Sequence, residues 1–307
     1  MAWLRTRGRR EVVGGAAILI VVIAVVSAVV VVFATRSDHK AARPCPKCTL
    51  RPAVVTMPTW SGYVALGPPG KPVAYSNVTG TWTVPAAACV RRQGHTVSAV
   101  WLGMGGYNSR AQEEVGTDSN CDASGKPVYF AWFEIVPYHA YQTFPDIQEK
   151  VFPGDTITGS VKIISPVSVQ LQVRNRTRGW TFSRAITFGQ ADRSTAEWGV
   201  TAPNVCIQST CYPGSLANFH QVTMRNISAV AHGVTETLAN PNWKVIPVRL
   251  VPGKIYVPTL STDGTANWSI ASPIVQAASR AGANPGPVTS HGTRFTMTWV
   301  RVAKPGL

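Results

Sequence analysis

Two hydrophobic patterns divide the chain into an N-terminal helix and a β-rich remainder. Residues 12–35 form a 24-residue stretch, mostly Val, Ile, Ala and Gly, without a single charge. As a helix this stretch spans about 36 Å, enough to cross a hydrocarbon layer of about 30 Å. Beyond residue 56 the apolar residues keep no 3.6-residue period. They occur in short Val-, Thr-, Ile- and aromatic-rich runs between Gly, Pro, Asn and Asp.

The residues before the hydrophobic helix predict its orientation. Four arginines lie within the first ten residues, and positive charge favours the cytoplasmic side. We therefore expect a single-pass protein of the cell membrane whose domain is extracytoplasmic. The alternative is a cleaved signal peptide and a secreted domain. The apolar run is longer than the roughly 7–15 apolar residues of a signal peptide, and Phe33-Ala34-Thr35-Arg36 is a poor cleavage site. A retained anchor is therefore favoured.

The same patterns predict the domain boundaries. We expect a basic cytoplasmic tail over residues 1–11, a transmembrane signal-anchor helix over 12–35, a Pro-, Lys- and Arg-rich linker over 36–56 and one β-domain over 57–307. The linker contains Cys45-Pro46-Lys47-Cys48. A local disulfide or a tether between chains is favoured there over redox chemistry or half a zinc site, since no second C-x-x-C completes a metal site.

The β-domain is predicted to be an antiparallel sandwich or barrel, because short strand patterns recur at regular spacing. Pro153-Gly154-Asp155 is predicted to be a turn, and Pro273–Ala281 is the one stretch with a possible helical pattern. The clearest predicted strands are Gly80–Val84, Val97–Leu102, Val128–Val136, Thr156–Ile164, Val167–Val173, Trp180–Thr187, Phe219–Met224 and Phe295–Val302.

The net charge excludes few functions, but the distribution of basic residues argues against nucleic acid as a partner. The net charge is +15, of which the first 51 residues supply +7 (nine Lys and Arg, two acids), leaving +8 on the remainder. That is a mildly basic surface, able to attract anionic polymers. No basic run with interleaved aromatic residues occurs in the domain, so we expect no nucleic-acid binding.

Cysteine usage fits an exported chain. Six cysteines are present, an even number that favours disulfides outside the cytoplasm. Cys206 and Cys211 are close enough to close a small loop, and Cys89 and Cys121 flank two predicted strands. We expect these two pairs, although six cysteines permit fifteen pairings.

Several common catalytic motifs are absent from the sequence. There is no H-E-x-x-H helix, no G-x-S-x-G elbow, no glycine-rich phosphate loop and no Asp-Thr-Gly or Asp-Ser-Gly. The six histidines are scattered without metal-ligand spacing. We therefore expect neither a metal nor a cofactor.

A few carboxylates lie inside predicted strands, in a chain with only 14 acids. Glu134 and Glu197 each adjoin aromatic residues. By alternation, one strand face carries Gln112, Glu114, Gly116 and Asp118. A carboxylate in an aromatic cleft has a raised pKa and can act as a general acid or base. Taken singly, each is also explained as a solubilising charge on an edge strand.

The order of these segments is specific. The series runs Trp60-Ser-Gly-Tyr63, Val78-Thr-Gly-Thr-Trp-Thr-Val-Pro85, Ser98-Ala-Val-Trp-Leu-Gly103, Glu114-Val-Gly-Thr-Asp118, Tyr129-Phe-Ala-Trp-Phe-Glu-Ile-Val-Pro137, Pro153-Gly-Asp155, Ala196-Glu-Trp198 and Phe295-Thr-Met-Thr-Trp299. It resembles the eqolisin family of glutamic peptidases over roughly residues 58–302.

The resemblance implies a fold and an activity. The fold would be a sandwich of two curved antiparallel sheets with a cleft on a concave face, and the activity would be acid endopeptidase cleavage of a polypeptide substrate by a Glu and a Gln. It implies that Glu197 is the general base and that Glu114 stands at the position of the Gln. Trp101, Trp132, Glu134 and Asp118 match residues that line the family's cleft.

Two positions depart from the family pattern. Gly105 stands where the family has an Asp, and Glu114 stands where a Gln amide would donate to the oxyanion. An ionised carboxylate cannot donate, but a protonated one can. A Glu114/Glu197 pair is therefore expected to share one proton at acid pH. Gln112 lies on the same face but two residues early, so it could substitute only after a register slip.

Two other functions are compatible with the same residues. A catalytically inactive sandwich would use the cleft to bind peptide or glycan at the cell surface, and the missing Asp at Gly105 favours this alternative. A purely structural cell-surface module is the third possibility. The aromatic residues do not separate the first two functions, since both need a groove.

Overall fold

Short alternating runs of apolar and polar residues form strands throughout the computed structural model, which describes residues 53–91, 94–143, 150–202, 204–207, 210–252, 254–258, 274–278 and 280–303. The predicted tail, the anchor helix and most of the linker lie outside these residues. All described residues belong to one unit, Leu50–Leu307. Within them, no helix is long and apolar enough to cross a bilayer.

The described residues form twenty strands. In chain order these are β1 Val55–Met57, β2 Trp60–Leu66, β3 Tyr75–Thr83, β4 Ala99–Gly105, β5 Gln112–Cys121, β6 Pro127–Val136, β7 His139–Thr143, β8 Thr156–Ser165, β9 Ser168–Asn175, β10 Trp180–Thr187, β11 Thr195–Thr201, β12 Asn204–Ile207, β13 Thr210–Pro213, β14 Gln221–Ala231, β15 Val234–Glu236, β16 Lys244–Leu250, β17 Lys254–Pro258, β18 Ile274–Ala278, β19 Ala281–Pro285 and β20 Phe295–Arg301.

The all-β prediction is confirmed, and each predicted strand overlaps an observed one. The helical interpretation of Pro273–Ala281 is wrong, because Ile274–Ala278 is a strand paired with Lys254–Pro258. β-branched Ile274 and Val275 suit a strand, and pairing with a segment distant in sequence outweighs the local helical pattern. The predicted turn at Pro153–Asp155 is confirmed, with Gly154 at a φ of 90°.

Two antiparallel layers pack against each other. One layer runs in the order β10-β9-β8-β3-β14, and the other runs β20-β19-β16-β2-β11-β4-β5-β6-β7. Strand β14 joins them, since its first residues pair with β20 and its later residues pair with β3. The parallel pairing of β1 with β16 extends the second layer.

The hydrophobic core fills the space between the two layers. Trp82 and Leu171 from the first layer meet Leu102, Val115 and Trp198 from the second, all fully buried. Both indole N–H groups cross the core to a hydrogen-bond acceptor. Trp82 Nε1 donates to Thr117 Oγ1 (2.8 Å), and Trp198 Nε1 donates to the Thr79 carbonyl (2.9 Å). The core thus fixes which face of β5 and β11 points inward.

Alternation places the other side chains of the second layer on its opposite face, here called the site face. On β5, Val115 and Thr117 point into the core, so Glu114, Gly116 and Asp118 lie on the site face. On β11, Trp198 points into the core, so Glu197 lies on the site face. The sequence prediction that Glu114, Gly116 and Asp118 share a face is confirmed.

One predicted disulfide is present in the described residues. Cys89 and Cys121 are bonded, with their Cα atoms 5.4 Å apart. Strands β12 and β13 pair so that Cys206 is directly opposite Cys211. That register is compatible with the second predicted disulfide, which stays a prediction. Cys45 and Cys48 lie outside the described residues.

Candidate active site

Four residues from four adjacent strands form one row on the site face. Glu197 on β11 is opposite Gly103 on β4, Gly103 is opposite Glu114 on β5, and Glu114 is opposite Glu134 on β6. Side chains of directly opposed residues point to the same face of a sheet. The fold therefore brings together Glu197, Glu114 and Glu134, which the sequence singled out although they are far apart along the chain.

Gly103 leaves the space between the two candidate catalytic residues open. A Cβ at residue 103 would lie 2.9 Å from Glu114 Cβ and 2.6 Å from the Glu113 carbonyl oxygen, too close for any side chain. Two strand spacings separate the Cα atoms of Glu197 and Glu114, about 10 Å. The two side chains are close enough for the charge of Glu197 to act on Glu114.

Glu197 is a buried carboxyl group with hydrogen-bond donors. Only 2% of the residue is exposed. Its Oε1 accepts from the Thr195 hydroxyl (2.7 Å) and from the Tyr107 backbone N–H (3.1 Å). Burial raises the pKa of Glu197 to about 8, while these two hydrogen bonds favour the ionised form and oppose the rise, and the charge of Asp192 adds to it. The residue is thus a strong base that retains support for its negative charge.

Glu114 is surrounded by other carboxyl groups. Burial raises its pKa well above the ordinary value, and Glu134 raises the pKa further through its charge and a side-chain hydrogen bond. Smaller increases come from the charges of Glu197 and Asp118. Every one of these influences favours the neutral acid. Glu114 is therefore the group that keeps a proton, and its hydrogen-bonded partner is Glu134. That Glu114 also shares a proton with Glu197 at acid pH stays a prediction.

Aromatic side chains form a wall beside the carboxyl row. Trp101, Gly116 and Trp132 make up the next row of the site face. A Cβ on Gly116 would lie 2.5 Å from the Trp132 ring, so the glycine lets that indole lie flat across the strand. Trp60 packs on Trp101 with ring centroids 5.5 Å apart, and Phe130 joins the same cluster. Trp101 and Trp132 thus lie where the sequence prediction placed them, next to the acids.

Asp118 lies one row further along the site face, opposite Ala99 and Phe130. It is buried, and its Oδ2 accepts a hydrogen bond from Asn120 Nδ2 (2.7 Å). Its charge is the last and smallest of the influences on the pKa of Glu114. The structure therefore places Asp118 beyond the row of Trp101, Gly116 and Trp132, on the side away from Glu114. There it adds negative potential and accepts a hydrogen bond from its own strand.

Gln112 does not take the place of the missing amide. It is opposite Gly105 on β4 and Val136 on β6, one row away from Glu197 and Glu114. A Cβ at Gly106 would lie 2.8 Å from the Gln112 side-chain Cδ, so this side chain lies over Gly106. The register slip that would align Gln112 with Glu197 does not occur.

The sequence prediction missed the residues that support Glu197. Thr195 is two residues before Glu197, and alternation alone would have put it on the same face. Tyr107 acts through its backbone N–H, which leaves no signal in the sequence. The described residues hold no group of three His, Cys, Asp or Glu suited to a metal ion.

Comparison with known proteins gives a family match. The model of the Peptidase A4 family matches residues 58–248, which is more than half of the chain. Among curated proteins, none matches this chain in sequence.

Solved structures share the fold. The scytalido-glutamic peptidase bound to a peptide-based transition-state analogue is 19% identical, with a TM-score of 0.55 over 79% of this chain and 98% of that one. SCP-B, a member of the eqolisin family solved with the tripeptide Ala-Ile-His, is 18% identical, with a TM-score of 0.52 over the same shares of the two chains. At these identities the likeness shows the architecture.

Proposed function

We propose, from the premise that this chain belongs to the Peptidase A4 family, the eqolisin glutamic peptidases, that it hydrolyses peptide bonds with Glu197 as general base and protonated Glu114 as hydrogen-bond donor. Its substrate is an extended polypeptide on the site face. No metal or cofactor enters this chemistry, which is one of carboxyl groups and water alone.

One observation carries the assignment of roles, namely that the two carboxyl groups have opposite surroundings. Glu197 accepts hydrogen bonds from Thr195 and Tyr107, which favour its ionised form. Glu114 faces Glu134 and Asp118, whose charges favour its neutral form. When the environments of two neighbouring acids differ in this way, the first ionises while the second stays protonated. That is the state required for a base next to a donor.

The reaction follows from this state. Glu197 takes a proton from water, and the resulting hydroxide oxygen forms a bond to the carbonyl carbon of the substrate. The carbonyl π electrons move to its oxygen, and the single Glu114 O–H turns from Glu134 and donates a hydrogen bond to that oxyanion. When the intermediate collapses, the C–N bond breaks and the proton held by Glu197 moves to the leaving amine. Both carboxyl groups return to their starting states.

The aromatic wall is suited to an extended chain. Trp101 Nε1 is buried and makes no hydrogen bond with the described residues, so it is able to donate to a substrate carbonyl. Trp60 is partly exposed and offers apolar surface to substrate side chains, while Trp101 and Trp132 are almost fully buried beside it. Glu134, expected to contact the substrate, is assigned instead to holding the proton of Glu114.

The working pH follows from the two ionisations. The rate rises as Glu197 loses its proton and falls as Glu114 loses its own. Because burial raises the pKa of Glu197 to about 8, the rising limb lies above the ordinary carboxyl value. The family resemblance implies an acid range, and burial of the base moves that range to higher pH.

The location proposed for the peptidase is the outer face of the cell membrane. The support is the uncharged run 12–35 and the arginines that precede it. A retained helix would restrict the enzyme to substrates near the membrane, whereas cleavage of the helix would release a secreted enzyme.

The test is hydrolysis of an unfolded protein by the purified full-length chain in mild detergent, from pH 3 to 9. We expect cleavage by the wild type and a loss of about 10²–10⁴-fold in Glu197→Gln, the usual contribution of a general base. Glu236→Gln on β15, in the other layer, is the matched control and should keep full activity. Cleavage by Glu197→Gln at the wild-type rate would exclude the proposed base. No cleavage by any variant would favour the binding module.

A further inference from the structure

An unassigned carboxylate lies beside the catalytic row. Asp192 is in the segment that leads into β11, and its side chain lies against Gly105. A Cβ at residue 105 would be 2.7 Å from Asp192 Cβ and 3.0 Å from Asp192 Cγ. Gly105 has a φ of 74°, which favours glycine, and its missing side chain makes room for Asp192. The family pattern has a carboxylate at the position of Gly105. Here the Asp192 carboxyl group, from the segment before β11, lies next to that position.

Asp192 connects the two sides of the site. Its Oδ2 accepts a hydrogen bond from the Ser109 hydroxyl, and its Oδ1 accepts one from the Ser194 backbone N–H (2.8 Å). Its own backbone N–H donates to Glu113 Oε1 (3.2 Å). Ser109 belongs to the loop after β4, and Ser109 Oγ also accepts from the Ala111 N–H (3.1 Å). Asp192 therefore ties that loop to the start of β11.

The same loop holds the catalytic base. Tyr107, two residues before Ser109, donates its backbone N–H to Glu197 Oε1 (3.1 Å). We propose that Asp192 is a positioning residue, which acts through Ser109 to hold the Tyr107 N–H against Glu197 and which sets the proton affinity of Glu197 by its charge. This inference rests on the proposed role of Glu197 as the base and adds the group that tunes it.

Asp192 influences Glu197 in two opposite directions. Its negative charge disfavours a second negative charge on Glu197 and so raises the pKa of Glu197. Its bond to Ser109 holds a donor that lowers that pKa. The other groups facing Glu197 are Glu114, protonated across Gly103, and the Tyr107 phenol. The group facing Asp192 is Glu113.

Two substitutions separate the two effects. In Asp192→Asn the amide still accepts from the Ser194 N–H and can donate to Ser109 Oγ, so the loop stays tied and only the charge is lost. In Ser109→Ala the charge remains and the tie is lost. Asp192→Asn should lower the pKa of Glu197, and Ser109→Ala should raise it.

The experiment is a ¹³C NMR titration of the Glu carboxyl carbons in the full-length protein, with the Glu197 signal assigned by its loss in Glu197→Gln. Ser194→Ala is the matched control, because only the backbone of Ser194 contacts Asp192. We expect a downward shift for Asp192→Asn, an upward shift for Ser109→Ala and none for Ser194→Ala. Shifts in the same direction, or no shift in either variant, would overturn the proposal. Since the titration does not need turnover, an inert wild type would contradict the proposed function and leave this test decisive.

Discussion

Glu114 and Glu134 are directly opposite each other on antiparallel strands and share a hydrogen bond between their side chains. Two carboxyl groups joined by a hydrogen bond do not readily ionise together, so the pair retains one proton. The bond to Glu134 therefore keeps Glu114 protonated, and in the proposed reaction its single O–H turns from Glu134 to the oxyanion. A glutamate in place of the family's glutamine is compatible with catalysis for this reason.

Glu134→Gln should make Glu114 lose its proton more readily. Burial raises the pKa of Glu114, and among its neighbours Glu134 contributes most. Removing the Glu134 charge thus lowers that pKa and moves the falling, alkaline limb of kcat/KM to lower pH. Asp118→Asn is the graded control, since Asp118 contributes least, and should cause a smaller shift in the same direction. An alkaline limb that stays in place or rises in Glu134→Gln would show that the pair does not hold the proton.

Thr195→Val should move the rising, acid limb to higher pH. The Thr195 hydroxyl donates a 2.7 Å hydrogen bond to Glu197 and favours its ionised form, so its loss raises the pKa of Glu197 further above the ordinary value. Thr201→Val on the same strand is the matched control, because its hydroxyl bonds to the Thr59 carbonyl away from the acids. The kcat/KM profiles of both variants measure the effect. An unchanged acid limb in Thr195→Val would remove Glu197 as the group that titrates.

The buried carboxyl group of Glu113 should make the stability of the fold depend on pH. It is fully buried on the core side of β5, and burial raises its pKa to about 8 from 4.5. The folded protein therefore binds a proton that the unfolded chain releases between those two values. Its contribution to stability is complete below about pH 4.5 and is lost as the pH rises towards 8.

Glu113→Gln should flatten that dependence. Its amide oxygen can keep the bond from the Asp192 N–H, and it does not titrate. The difference in Tm between pH 5 and pH 8 should be smaller in Glu113→Gln than in the wild type, and the effect at pH 8 should be on the order of a few kcal/mol. Equal pH slopes for the two proteins would show that Glu113 is not protonated in the folded state.

The membrane topology predicts a protease-protection result. If residues 12–35 span the membrane with the arginines inside, external protease added to intact cells should remove the β-domain and leave the first residues protected. Lysed cells are the control, in which the N-terminal tail should also be digested. Recovery of a soluble chain that begins near Arg36 would show that the helix is cleaved.

The sequence predicted the all-β fold class and the face on which Glu114 and Asp118 lie, because both depend on local alternation. The period of two puts Glu114, Gly116 and Asp118 on one face, and the structure agrees, since Val115 and Thr117 point into the core. The helical interpretation of Pro273–Ala281 failed, since strand pairing with a distant segment decides its conformation.

Contacts between segments distant in the sequence could not be predicted in the same way. The Tyr107 donor is a backbone group, and Asp192 reaches the site only because Gly105 has no side chain. The hydrogen bond between Glu114 and Glu134 was not predicted either, because it depends on a register that puts Glu134 directly opposite Glu114 and Gly103 between Glu114 and Glu197. Register is set by the whole sheet, so a single-strand pattern does not specify it.

The pH profile of Glu114→Gln, measured beside the wild type on the same unfolded protein substrate, tests the central claim most directly. A glutamine amide donates without needing a proton, so the wild-type bell should become a curve with the acid limb alone, and activity above the wild-type optimum should rise. Glu197→Gln made in the same background should abolish that activity. An inactive Glu114→Gln beside an active wild type, or an alkaline limb unchanged by the substitution, would contradict the assignment of Glu114 as the protonated donor.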